Sequence, residues 1–292
     1  MTSCRGPDNR VVLGRRAFAT LGVPAALLLA GCSPVRILNT LAPDRLVATD
    51  IAYGNDPRQR LDVYRPHGRG PFPVMMFLYG GSWDSGTRAM YRFLGDAFAA
   101  SGVLTVIPDY RLYPQVRYAE ILADCARALA WTRGNAVRYG GDAAPPALIG
   151  HSAGAYNAAM LALDRSLLAA VGLSPRADLS RVVGLAGPYD FLPLHTDELR
   201  QVFGPGPALP ATQPITYADG GNPPMLLLAG TADTTVMPAN TMRLAAQIRM
   251  RNGPVEARLY DGVDHIEIVG AIAAPLRGLA PTFRDCLAFL RS

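Results

Sequence analysis

A single α/β domain built on a mostly parallel, eight-stranded sheet flanked by helices is the fold class this sequence predicts, and three observations predict it. Short apolar runs alternate with longer amphipathic segments from residue 46 to the end of the 292-residue chain. Half of the residues are apolar and 17% charged, a composition suited to a sizeable core. No repeat or low-complexity tract interrupts the alternation, so one domain suffices, and strand–helix alternation implies crossover connections between parallel strands.

The strand candidates are 46–53, 60–64, 73–79, 103–108, 146–150, 182–186, 224–229 and 255–260. The first two are half-polar and close in sequence, as an edge hairpin would be; the later ones read as nearly all apolar, as strands covered on both faces are. Helical patterns fall at about 88–101, 117–138, 153–163, 239–251 and 281–291. In the second of these Ile121, Leu122, Cys125, Leu129 and Thr132 recur at three- and four-residue spacing, which turns one face toward a sheet. Asn252-Gly253, following Arg249 and Arg251, is a helix stop with cations in the last turn. Residues 187–222 break the rhythm. The tract beginning Phe203-Gly204-Pro205-Gly206-Pro207 is too rich in proline for a central strand or a long helix, and the strand pattern resumes at Met225. It is expected to be an excursion that roofs a crevice at the carboxyl ends of the strands.

The formal charge is +5, and all 28 basic residues are arginine. Residues 1–31 carry four arginines and one aspartate, which leaves +2 for the rest and removes the support for a nucleic-acid partner. That leader has a basic segment ending in Arg15-Arg16, an apolar segment Ala17–Ala30 and the tetrapeptide Leu29-Ala30-Gly31-Cys32, the order of a secretory signal. The apolar part is short and interrupted by Pro24. The tetrapeptide resembles the lipobox of bacterial lipoproteins, and Arg15-Arg16-Ala17-Phe18 is similar to a twin-arginine export signal, although Gly14 and Ala19-Thr20 depart from that pattern. The resulting expectation is a signal peptide over 1–31, lipid on Cys32, a lipid-anchored linker over 32–45, and a domain from 46 to 292 held at a membrane surface outside the cytoplasm. An uncleaved N-terminal anchor is the other reading. Of the four cysteines, only Cys125 and Cys286 lie in the domain. Both fall in apolar helical patterns, and two buried free thiols are expected.

The chemistry concentrates around Gly150-His151-Ser152-Ala153-Gly154, which follows the apolar run 146–150 and opens a helix-favouring segment. Gly-x-Ser-x-Gly at a strand-to-helix turn exposes the serine hydroxyl and points the helix N-terminus at whatever bonds to it. A serine needs a base and an orienting acid to act as a nucleophile. Four histidines are available. His151 should point away from the elbow, into packing or solvent; His67 lies in a polar surface turn; His195 belongs to the excursion and has no strand behind it. His265 follows the last strand at the sheet's carboxyl edge and is the expected base. Asp233, on a short turn after 224–229, is the expected acid, because Asp219 lies at the amino end of that strand and Asp261 and Asp264 are too near His265 in sequence. One histidine beside Asp264 and Glu267 is too sparse a set for a metal site, so no metal or other cofactor is expected.

The order Ser152, Asp233, His265, together with Leu61-Asp62-Val63-Tyr64-Arg65-Pro66, Pro108-Asp109-Tyr110-Arg111-Leu112 and the loop Tyr79-Gly80-Gly81-Ser82-Trp83, resembles the α/β-hydrolase carboxylesterases of the hormone-sensitive-lipase-like and feruloyl-esterase-like group. The resemblance implies the α/β-hydrolase fold and an oxyanion hole formed by backbone N–H groups of Gly81, Ser82 and Ala153. Two positions depart from the family loop: Tyr79 stands for its histidine and Ser82 for its third glycine. The Tyr79 hydroxyl can support the loop by a hydrogen bond, and Ser82 can donate provided its φ is not strongly positive. Trp83, Tyr156 and Tyr189 are candidates for the pocket, and the analogy implies a small or aromatic acyl group. The expected function is serine carboxylesterase action on small carboxylic esters through an acyl-enzyme. An amidase or thioesterase with the same triad, or a surface-anchored binding protein without turnover, are the alternatives.

Overall fold

The computed structural model describes residues 34–204 and 209–292. The leader and Cys32 lie outside the described residues. Eight strands form one sheet: β1 Leu46–Ala52, β2 Arg60–Tyr64, β3 Val74–Leu78, β4 Leu104–Pro108, β5 Ala147–His151, β6 Val182–Leu185, β7 Met225–Gly230 and β8 Val255–Tyr260. Their order across the sheet is β1-β2-β4-β3-β5-β6-β7-β8. Only the β1–β2 and β2–β4 pairs are antiparallel, so six neighbouring strands from β4 to β8 run parallel. This is the α/β-hydrolase arrangement.

The helices are α1 Pro34–Leu41, α2 Arg92–Ala100, α3 Tyr118–Asn135, α4 Ala153–Leu163, α5 Arg165–Ala169, α6 Pro175–Asp178, α7 Asp197–Phe203, α8 Ala239–Met250, α9 Glu267–Gly270 and α10 Thr282–Arg291. The five expected helices are present with trimmed ends. The first begins as a 3-10 turn over Arg88–Tyr91. The second ends in one over Ala136–Tyr139, stopped by Gly140 at φ +88°. α1, within the segment expected to be a linker, docks on the domain: the Asn39 amide donates to the Ala89 carbonyl, and its oxygen accepts from the Phe93 N–H, each at 2.9 Å.

β3 to β7 are buried along their whole length, as apolar runs between two helix layers should be. β8 departs from expectation. It is the sheet edge, and Glu256, Arg258 and Leu259 are exposed on it. Its alternating Val-Glu-Ala-Arg pattern carried that signal. The excursion also holds more structure than proline suggested: α7 is capped by Thr196, whose hydroxyl accepts from the Leu199 N–H, with Asp197 and Glu198 in its first turn. Cys125 and Cys286 are free and buried.

Below the carboxyl edge, α3 is tied to the sheet by one carboxylate. Asp124 is fully buried and accepts from the Gln59 amide, from the Arg111 backbone and guanidinium, and from Arg127, at 2.8–3.1 Å. Replacing it by alanine leaves Arg111 and Gln59 facing a hole lined with donors. Asp124→Ala is expected to lower unfolding stability by about 3 kcal/mol in urea titrations; a loss under about 1 kcal/mol would mean that this cluster does not hold α3 in place.

Candidate active site

The end of β5 turns into α4 within one residue. Ser152 takes φ +54° and ψ −123°, a conformation that L-residues adopt only under constraint. Two glycines permit it. A Cβ on Gly154 would sit 2.0 Å from the Leu78 carbonyl oxygen, and one on Gly150 2.2 Å from the Gly154 carbonyl oxygen. The serine hydroxyl is thereby held above the sheet edge, at the N-terminus of α4.

His265 and Asp233 arrive from the loops after β8 and β7. His265 Nε2 lies 2.9 Å from Ser152 Oγ, and its Nδ1 lies 2.8 Å from Asp233 Oδ2. A carboxylate beside Nδ1 assigns the proton to that nitrogen and leaves Nε2 to accept from the serine. The other Asp233 oxygen accepts from the N–H groups of Thr235 and Val236 at 2.9 and 2.8 Å. Burial opposes the charged carboxylate, but the hydrogen bond to His265 and these backbone bonds outweigh it and hold the Asp233 pKa below its usual value. The competing acids are elsewhere. Asp219 pairs with Arg165, Asp261 accepts from the Thr231 hydroxyl, and Asp264 accepts from the backbone N–H groups of Ile266 and Glu267.

The position of His151 is neither simple packing nor solvent: its ring centroid lies 5.0 Å from that of His265. The ring is buried, and Nε2 donates to the backbone carbonyl of His265 at 3.0 Å, so it ties the end of β5 to the loop after β8. Burial first, and then the charge His265 could carry, push its pKa down to about 3. Its Nδ1 is buried without a partner among the described residues.

The loop after β3 faces the elbow. Gly81, Ser82 and Trp83 have φ of +128°, +49° and +64°. The condition set on Ser82, a φ that is not strongly positive, meets a value of +49°: the serine takes the left-handed backbone that a glycine would adopt freely. Among the described residues no backbone acceptor meets the N–H groups of Gly81, Ser82 or Ala153. Ser82, Ala153 and Ser152 lie together in the wall of a cavity of about 750 Å³. Gly81 does not reach that wall.

Trp83 lines the cavity, as expected. Tyr156 and Tyr189 do not, and both are fully buried. Tyr156 stands edge-on behind Trp83 at 5.2 Å and donates to the Thr212 carbonyl. The Tyr189 hydroxyl fills the space left by the missing side chain of Gly184, where a Cβ would lie 2.0 Å from it. The opposite wall comes from the excursion, through Phe191, Leu192 and Leu199, with Val236 and Met237 from the loop after β7. His195 is at this wall, while His67 is exposed away from it. No residue pattern marked Phe191 or Met237 in advance, because their place depends on how the excursion folds back. Among the described residues no group of acidic, histidine or cysteine side chains is arranged to hold a metal ion.

The pKa of His151 makes a pH-dependent stability term. An unfolded histidine takes a proton near pH 6.5, whereas His151 in the folded protein stays neutral down to about pH 3. Between those values the unfolded chain binds the extra proton, so stability falls as pH falls. The depressed Asp233 acts in the same direction lower in the range. Urea titrations from pH 7 to pH 4 are expected to show this decline, and His151→Asn to flatten it; an unchanged slope in that variant would rule out His151 as its source.

The chain is similar in sequence and in fold to proteins named as esterases. Over 286 residues, 89% of this chain, it is 28% identical to a probable isoprenylcysteine alpha-carbonyl methylesterase of Arabidopsis thaliana. Over a shorter stretch, 51% of this chain and 38% of the relative, it is 34% identical to esterase LipC of Mycobacterium tuberculosis. The chain spans about 59% of the length of the Arabidopsis relative. Among solved structures, Thermogutta terrifontis esterase 2 phosphonylated by sarin is 26% identical with a TM-score of 0.66, covering 76% of this chain and 87% of that one. Esterase B of Lactobacillus rhamnosis shares the fold at 22% identity and a TM-score of 0.73, covering 86% and 85% of the two chains. The BD-FAE family model matches residues 61–248, a span that runs from β2 through the loop after β3, the serine elbow and Asp233 into α8. On the strength of that match this chain is a member of the BD-FAE family.

Proposed function

We propose that this protein is a serine carboxylesterase acting on small carboxylic esters through an acyl-enzyme. The observation that carries the proposal is the unbroken hydrogen-bond chain Ser152–His265–Asp233, whose serine lines the cavity. His265 Nε2 takes the serine proton as Oγ attacks the ester carbonyl. Asp233 fixes the tautomer and stabilises the imidazolium that forms. The N–H groups of Ser82 and Ala153, with Gly81 behind them, receive the negative charge on the tetrahedral oxygen, aided by the N-terminus of α4. The imidazolium then protonates the leaving alcohol, and water, deprotonated by the same ring, releases the acid.

The complete triad supports turnover over a binding role on the same scaffold. The names of the relatives support an oxygen ester over an amide or thioester: the matched proteins are called methylesterase and esterase. The cavity wall formed by Trp83, Phe191 and Leu192 supports an apolar acyl or alcohol group.

The leader supports a second element of the proposal, export with lipid on Cys32, which would hold the enzyme at a membrane surface. Its three-part sequence is the support. Cys32→Ala is expected to move the protein from the membrane fraction to the soluble fraction, and the mature wild-type mass to correspond to a start at a lipidated Cys32. A mass beginning at Met1 would rule out processing there.

Ser152→Ala is expected to reduce hydrolysis of a p-nitrophenyl ester by at least about a thousandfold while leaving the circular dichroism spectrum unchanged. Wild-type protein should react with a fluorophosphonate probe, and the variant should not. Labelling that survives in the variant would move the nucleophile to another residue.

A further inference from the structure

The backbone from Gly81 to Trp83 needs an external restraint. Three consecutive residues at positive φ, two of them with side chains, are not a stable turn by themselves. Internally the loop is a compact unit: the Gly81 carbonyl accepts from the N–H groups of Asp84 and Ser85 and from the Ser85 hydroxyl. How that unit is oriented toward Ser152 depends on its attachments at either end.

Both attachments meet at one cluster. At the start of the loop, the Tyr79 hydroxyl donates to Asp109 Oδ1 at 2.8 Å and accepts from Arg58 Nη2 at 3.0 Å. At its end, the same Arg58 Nη2 donates to the Gly86 carbonyl at 2.9 Å. Asp109 Oδ1 also accepts from the Arg88 N–H at 2.6 Å, and its other oxygen pairs with the Arg88 guanidinium. Arg58 Nε is fixed in turn by the Tyr110 carbonyl at 2.9 Å. A third fastening, from Trp83 Nε1 to Asn157 Oδ1 at 3.1 Å, holds the tip.

We propose that Arg58, Tyr79 and Asp109 form a staple that closes the two ends of the loop 80–86 and sets the backbone donors at Gly81 and Ser82, with Tyr79 a positioning residue for the oxyanion. This deepens the esterase reading and rests on it. The three residues come from the segments around β2, β3 and β4, so the staple refers the loop to the sheet itself. The Tyr79 ring is fixed separately, stacked on Tyr110 at 4.7 Å and on Tyr91 at 5.7 Å. Its main-chain carbonyl accepts from the Tyr110 hydroxyl at 2.6 Å. Tyr79→Phe therefore keeps the stacked ring and removes only the hydroxyl link.

The test compares wild type, Tyr79→Phe, Arg58→Lys and the double variant on a p-nitrophenyl ester, and measures inhibition by phenylboronic acid, which forms a tetrahedral adduct with the serine. The expected result is a kcat about tenfold lower in each single variant, part of the hundredfold or more that a lost oxyanion donor brings, with KM within about twofold. Boronate affinity should weaken in step with kcat, and the double variant should be no worse than about the poorer single one, because both cut the same link. A folded Tyr79→Phe protein with kcat and boronate affinity within about twofold of wild type overturns the staple, as does a loss confined to KM. If Tyr79→Phe does not fold, Arg58→Lys alone is decided by the same criteria. Wild-type protein without ester turnover or fluorophosphonate labelling would instead overturn the esterase reading.

Discussion

The approach of α4 to β3 is the contact on which the rest of the site depends. With a side chain at Gly154, the helix could not lie against the Leu78 carbonyl, and the turn at Ser152 would open. The closeness also brings two loops together. β3 and β5 are neighbouring parallel strands with Leu78 opposite Gly150, so their carboxyl ends leave the sheet side by side, one as the oxyanion loop and the other as the elbow. A Cβ on Gly80 would fall 2.8 Å from the Ser152 Cβ. Ser152 and the loop after β3 are thus set against each other by strand register.

That dependence explains what could be read from the residues alone. Ser152 and Asp233 were legible because each follows, directly or within a short turn, a strand with a plain apolar pattern, and His265 because it lies just past the last strand; a parallel sheet places every such end on one edge. The cavity wall was not legible. Tyr156 lies on the helix that follows the nucleophile and looks like a pocket residue, yet Trp83 stands between it and the space. Tyr189 precedes Phe191 by two residues, and only the fold of the excursion decides that one fills the gap over Gly184 while the other faces substrate space. The half-polar pattern of β8 was visible but was outweighed by its neighbours in sequence. The positive φ of Ser82 was hidden altogether, because the residue type argues against it and the restraint comes from distant side chains.

The absence of lysine shapes the electrostatics. Every cation in the buried clusters is a guanidinium, which can face several acceptors at once. Arg88 reaches Asp50, Asp62 and Asp109 from one planar head, and Arg111 joins Asp124 by two nitrogens. Such groups keep their charge across any pH the fold survives. The acid-sensitive elements include the depressed carboxylate of Asp233 and His151, whose neutral ring is part of the support behind His265.

The excursion that carries Phe191, Leu192 and Leu199 stands on a different mechanical footing from the residues that do the chemistry. Ser82 and Ser152 follow strands in the middle of the sheet and His265 follows the edge strand β8, whereas this wall is attached through contacts such as Gln213 to the Phe191 N–H and Asn240 to the Tyr189 and Asp190 N–H groups. Another part of the wall, Trp83, Val236 and Met237, sits on the same loops that carry Gly81, Ser82 and Asp233. A change at Phe191, Leu192 or Leu199 can therefore reshape the space in front of Ser152 while leaving the hydrogen bonds Ser152–His265–Asp233 intact.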